Sequence, residues 1–136
     1  MKNLIFILIA IVSLTSSDVP DKYWIDDNNF EEKISNSSAF GDDNLETIVV
    51  EFWAEFNEAN CFNDWDKIKN AKYYRVDIAK APLAKKKYKV RMVPTIIIFK
   101  EGSVEESFKA GLDLTLPADL NDIQEAINEI NTASAF

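Results

Sequence analysis

From Ile48 to Trp53 the chain is apolar at every position but one, Glu51. Apolar residues on both alternating faces mark a central strand covered on both sides. The pattern then turns polar at Glu55, Asn57, Glu58 and Asn60, where a helix would begin. A buried strand running into a helix N-terminus is where α/β proteins tend to place their chemistry.

The flanking segments supply the rest of the elements. Tyr23-Trp24-Ile25 reads as a short first strand, and Asp26-Asp27-Asn28-Asn29 offers N-caps for a helix over Phe30 to Ile34. Ser35 to Asn44, with Gly41, is a polar loop, and the central strand spans Glu46 to Trp53. Phe62, Trp65 and Ile68 recur at helical spacing and predict a helix over Asn60 to Ala71. Tyr73 to Ile78 reads as a strand and Ala81 to Tyr88 as a short helix. The triple lysine Lys85-Lys86-Lys87 is either its solvated face or a basic docking patch. Thr95 to Phe99 and Val104 to Phe108 form a hairpin across Glu101-Gly102, and Gly111 to Leu116 is irregular. After Pro117, with Asp119 as cap, the residues Leu120, Ile123, Ile127 and Ile130 make the buried stripe of a last helix. The alternation predicts one α/β domain, a mixed central β-sheet with helices on both faces.

The N-terminal residues follow a different logic. Lys2, the apolar run Leu4 to Leu14 and the small residues Thr15, Ser16 and Ser17 have the form of a secretory signal peptide. Residues 1–17 are therefore expected to be cleaved, leaving a domain over 18–136, exported to a periplasm, the extracellular space or, in a eukaryote, the secretory lumen. The alternative is an uncleaved N-terminal anchor, for which the apolar run is short. After cleavage no stable membrane insertion is expected.

Charge and composition narrow the function. A formal charge of −8, which loss of Lys2 makes more negative, argues against nucleic acid and anionic membrane surfaces as partners. The chain has one cysteine, so no internal disulfide can form, and 47% apolar residues must supply the stability through a core. Histidine is absent, which removes the commonest general base near neutral pH and the commonest zinc ligand. The acidic pairs Asp26-Asp27 and Asp42-Asp43 fit no calcium loop, and neither a metal nor a cofactor is implied. Asn36-Ser37-Ser38 is a glycosylation sequon, meaningful only in a eukaryotic secretory route.

Two motifs carry a family resemblance. Glu51-Phe52-Trp53-Ala54-Glu55-Phe56 resembles the strand that leads into the thioredoxin active site, read as acid-Phe-Trp-Ala-x-Trp followed by Cys-Gly-Pro-Cys. Val93-Pro94-Thr95-Ile96-Ile97-Ile98-Phe99, with Gly102 beyond it, resembles the second thioredoxin signature. The similarity runs from about Tyr23 to Ile130 and implies the thioredoxin fold. The departure is at the chemistry: Asn57 and Asn60 stand at the positions of the family's two cysteines, and the lone Cys61 follows the second.

Dithiol exchange needs a low-pKa thiolate and a second thiol to resolve the mixed disulfide. Asn57 and Asn60 can do neither, so the chain is not expected to be a dithiol-disulfide oxidoreductase. Cys61 has two readings: a lone thiol activated by a helix N-terminus and serving redox homeostasis, or a small packed residue. The resemblance makes Glu51 the buried acid beneath the site and Arg75 its basic partner on the neighbouring strand, a structural ion pair. It also implies a cis peptide bond before Pro94, which leaves the Val93 backbone open to an extended peptide or serves the fold alone. Trp53, Phe56, Val93 and Pro94 are thus the candidate binding residues. The expected function is a redox-inactive protein-binding or chaperone-like module whose partner is a protein or an extended peptide segment.

Overall fold

The computed structural model describes residues 19–35 and 46–133. The expected leader, the polar loop with Gly41, the Asn36 sequon and the Asp42-Asp43 pair lie outside these residues. Five strands form one sheet in the order β1-β3-β2-β4-β5: β1 is Trp24–Ile25, β2 Thr47–Trp53, β3 Ala71–Asp77, β4 Thr95–Lys100 and β5 Ser103–Lys109. The first three run parallel, while β4 is antiparallel to β2 and to β5. The central apolar run is the central strand of the sheet. Its alternation separates two cores. Ile48, Val50 and Phe52 face α1 (Phe30–Ser35) and α2 (Pro82–Lys87), with Phe30, Ile34, Ala84 and Phe99 in the same cluster. Val49 faces α3 (Leu120–Ala133), packed among Ile96, Ile98, Ile123 and Ile127.

Short helices need satisfied ends. Both Asp27 carboxylate oxygens accept backbone N–H groups at the start of α2, from Leu83 and Ala84, each at 2.9 Å. The acidic pair Asp26-Asp27 thus works as helix and turn capping, with Asp26 accepting the N–H of Asn28. For α3, Asp119 Oδ1 accepts the Asp122 N–H and Asp122 Oδ2 accepts the Asp119 N–H, a reciprocal capping box.

The helix expected over Asn60 to Ala71 does not form. A 3-10 segment spans Glu55–Asn60, a 3-10 turn spans Trp65–Lys67, and the chain between and after them is irregular. The physical reason lies in the competition for backbone groups. The Phe62 N–H donates to Glu51 Oε2 at 2.9 Å and the Phe62 carbonyl accepts from Arg75 Nη2 at 2.9 Å. In a helix begun at Asn60 the Phe62 N–H would have no internal partner, whereas the Phe62 carbonyl, which the helix would offer to the Asp66 N–H, is turned to Arg75 on the sheet. At the far end the α3 residue Gln124 accepts the Lys69 N–H at 2.9 Å and donates to the Lys69 carbonyl at 2.8 Å. Asn131 donates to the Asn70 carbonyl at 3.0 Å, and Asn70 itself sits at φ 65°. Asn60, Asn63, Asp64, Asp66 and Asn70 are weak helix formers, so local propensity offers little against these anchors. The apolar spacing of Phe62, Trp65 and Ile68 still reports burial: all three pack in the α3-side core, on an irregular backbone.

Candidate functional site

The site is built at the C-terminal end of β2. Glu51 faces α3 and stands opposite Arg75 in the parallel β2–β3 register. Tyr73 precedes Arg75 by two positions and therefore shares its sheet face. The three side chains meet in a buried network. Arg75 Nη2 lies 3.1 Å from Glu51 Oε1, Tyr73 Oη donates to the same oxygen at 2.7 Å, and Arg75 Nε donates to Tyr73 Oη at 2.8 Å. Glu51 is 0% and Arg75 1% exposed. Burial pushes the Glu51 carboxyl above its ordinary value against the opposing pull of Arg75 and of the hydrogen bonds from Phe62 and Tyr73. Burial, and then the Glu51 charge, hold the Tyr73 phenol well above its ordinary value. The guanidinium also lies 5.8 Å from the Trp24 ring centroid, and its Nη1 has no hydrogen-bond partner among the described residues. Tyr73 was not singled out in the sequence; its place two residues before Arg75 on one strand face was the available signal.

Beyond Trp53 the chain enters the 3-10 segment that carries Asn57 and Asn60. Asn57 is buried, and its Nδ2 donates to the Val93 carbonyl at 2.7 Å and to the Leu114 carbonyl at 3.0 Å. Asn60 Nδ2 donates to Asn57 Oδ1 at 2.8 Å. One amide thus ties three segments together: the turn after β2, the Val93-Pro94 loop, and the irregular loop after β5. The Val93–Pro94 peptide bond is cis, and the Pro94 carbonyl accepts the Ala110 N–H at 3.1 Å. Val93 departs from the expectation of an outward-facing backbone. The residue is buried and its carbonyl is already engaged by Asn57.

The family model described as Thioredoxin matches residues 22–122. The chain belongs to the thioredoxin family. Among solved structures it is similar to Schistosoma mansoni thioredoxin, with 18% identity and a TM-score of 0.59 over 78% of this chain and 92% of that one. It is likewise similar to spinach chloroplast thioredoxin f, with 16% identity and a TM-score of 0.60 over 79% of this chain and 91% of that one. A mutant thioredoxin from Halobacterium salinarum aligns at 16% identity, TM-score 0.57, over 78% of this chain and 87% of that one. At these identities the likeness shows the fold. No curated protein matches the sequence. A single cysteine in the whole chain means that this thioredoxin-fold protein lacks a Cys-x-x-Cys pair.

The remaining residues singled out in the sequence take separate places. Cys61 is 8% exposed, and its thiol donates to Asn63 Oδ1 at 3.3 Å. It follows a 3-10 segment and has extended backbone, at ψ 160°, so no α-helix N-terminus points at it. Burial pushes the thiol up, and the Arg75 guanidinium pulls the other way without reversing the shift. Trp53 packs edge-on against Trp24, ring centroids 5.1 Å apart, and lines a hollow of about 430 Å³ with Trp24, Asp26 and Asp77. Phe56 is 73% exposed, and Leu112, in the loop that Asn57 holds through Leu114, is 92% exposed. Leu112 carried no signal in the sequence beyond lying in an irregular stretch.

The buried network predicts a non-additive pair. Removing one partner of a buried ion pair strands the other charge and typically costs ~3–5 kcal/mol. Arg75→Met should therefore destabilise the protein more than Arg75→Met combined with Glu51→Gln, measured as denaturant midpoints. Additive losses would show that the two side chains do not share one energetic unit.

Proposed function

We propose that this protein is a redox-inactive thioredoxin-fold module that binds other proteins. The observation that carries the proposal is the amide latch at Asn57. Where dithiol chemistry needs a nucleophile and a resolving thiol, the chain has two side chains that have no nucleophilic sulfur and are committed to hydrogen bonds within the fold. The position has a structural occupation in place of a chemical one. Single-thiol chemistry at Cys61, the other reading, has burial and an upward-shifted thiol against it.

Binding is supported by what surrounds the latch. Phe56 and Leu112 stand out of the surface on two loops that the latch holds in fixed relation, and exposed bulky apolar residues on ordered loops are a common basis for protein recognition. With the Val93 carbonyl engaged by Asn57 and Pro94 buried, recognition rests on these side chains rather than on strand-like pairing at Val93 alone. An exported location follows from the Lys2, Leu4 to Leu14, Thr15–Ser17 pattern, and the acidic charge of −8 favours protein partners over nucleic acid. No helix among the described residues is long and apolar enough to cross a membrane.

Two outcomes test the proposal. Insulin reduction driven by dithiothreitol should proceed no faster with the protein than without it; turnover above that control would overturn redox inactivity. Phe56→Ser combined with Leu112→Ser should leave the circular-dichroism spectrum unchanged and abolish capture of the proteins that the unaltered chain retains from its own compartment. Retention of the same set by the folded variant would place the binding surface elsewhere.

A further inference from the structure

The triple lysine of α2 divides in the folded chain. Between Ala79 and Arg91 the sequence carries Lys80, Lys85, Lys86, Lys87, Lys89 and Arg91 and no acidic residue. Lys87 is committed within the fold, its Nζ 2.7 Å from Glu31 Oε1. Lys85 and Lys86 instead join Lys89 and Arg91 around a hollow of about 400 Å³, which Pro82 and Val90 complete. The four cationic residues are exposed and Val90 beneath them is buried.

The end of α2 brings the four together. The Lys89 N–H donates to the Lys86 carbonyl at 3.2 Å, and the Val90 N–H donates to the Lys85 carbonyl at 3.0 Å. This pattern reverses the chain at a helix end and needs a left-handed residue, here Lys89 at φ 54°. Lys89 and Arg91 are thereby folded back beside the last turn of the helix. Glycine takes that conformation without strain, whereas a side chain there is disfavoured. The chain thus keeps a cation where its backbone favours glycine. The partial negative charge of a helix C-terminus favours lysines in the last turn, but α2 has six residues and one such end against four cations.

Carboxylates do not balance the hollow. None of the four cations forms an ion pair among the described residues. The neighbouring acids are already engaged: Asp27 with the N–H groups at the start of α2, Glu31 with Lys87, and Asp77 with the Ala79 N–H. Outside the described residues the chain has Asp18, Asp42 and Asp43. Asp18 adjoins Val19, which packs in the α3-side core on the other face of the sheet. Asp42 and Asp43 are two carboxylates against four cations. The hollow therefore keeps an excess of positive charge wherever they lie, on a chain of formal charge −8.

Building on the protein binding proposed above, we infer that this hollow takes an acidic segment of a partner protein, one with several Asp or Glu residues close together. Lysine is a point charge on a flexible stem, so a group of three with one arginine suits a row of carboxylates better than one rigidly held anion. The acidic remainder of the surface repels such a segment elsewhere and orients its approach to this face. A second copy of this chain is disfavoured as the occupant by repulsion between two acidic molecules.

The probe is a synthetic peptide of alternating glutamate and serine, with its glutamine analogue as control, added to the purified protein at low ionic strength. Amide shifts in NMR spectra should concentrate at Lys85, Lys86, Lys89 and Arg91, and added salt should weaken binding. Lys85→Glu with Lys86→Glu should weaken it about tenfold. The same charge change at Lys22 and Lys69, exposed and outside the hollow, should weaken it far less. Lys89→Gly should weaken it without lowering the thermal midpoint, because glycine relieves the left-handed backbone. The readout is peptide binding by the purified protein, so its failure removes this hollow alone and leaves the capture test of Phe56 and Leu112 as it stands. Several results would overturn the inference: equal binding of the glutamate and glutamine peptides, shifts confined to other residues, equal losses from the two charge reversals, or self-association through these lysines without peptide. Tighter binding of a single-stranded DNA of equal charge, or of phosphatidylserine vesicles, would overturn it in favour of nucleic acid or a membrane.

Discussion

Glu51 is a carboxylate at the centre of a sheet, fully removed from water, and much of the architecture can be read as a response to it. An ionisable group in such a place is costly unless its oxygens are paired. Here one oxygen takes Arg75 and Tyr73 and the other takes the Phe62 N–H. Arg75 in turn holds the Phe62 carbonyl. The network therefore does more than neutralise a charge. It joins β2 to β3 and pins the following segment to the sheet at Phe62.

The second constraint lies at Asn57. A side-chain amide has two donor hydrogens and an acceptor oxygen, and here Nδ2 meets two carbonyls while Oδ1 receives Asn60. Each such bond contributes about 0.5–1.5 kcal/mol net, and leaving the buried acceptors unmet would cost more. The arrangement fixes three loops by polar contacts within the protein. A thiol pair at the same place would have to remain accessible to a substrate disulfide. The polar groups around Asn57 are instead turned toward one another, while Phe56 and Leu112 face out.

Most of the sheet was legible because strand signals here are local and strong. Ile48 to Trp53, Thr95 to Phe99 and the stripe Leu120, Ile123, Ile127, Ile130 each correspond to an element, and the two motifs placed them in one fold. The segment after Asn60 was not legible as irregular structure. Phe62, Trp65 and Ile68 have helical spacing, yet what decides their backbone is a pair of groups on β2 and β3 and two polar side chains on α3, all distant in sequence. The same non-locality hid the latch. That Asn57 and Asn60 cannot do thiol chemistry follows from their identity, but that Asn57 binds the Val93 and Leu114 carbonyls and Asn60 binds Asn57 follows only from how three loops meet. Leu112 was invisible for a related reason: exposure is a property of the assembled fold.

The central claim is that the family's reactive position has become a structural one, and the Asn57 side chain reports on it directly. Its Nδ2 protons can be followed by NMR as solvent hydrogen is replaced by deuterium. If Asn57 holds the Val93 and Leu114 carbonyls in a buried site, these protons should exchange far more slowly than those of the exposed Asn63 and Asn121. Exchange of Asn57 as fast as theirs would contradict the latch and reopen the position as a site accessible to ligands.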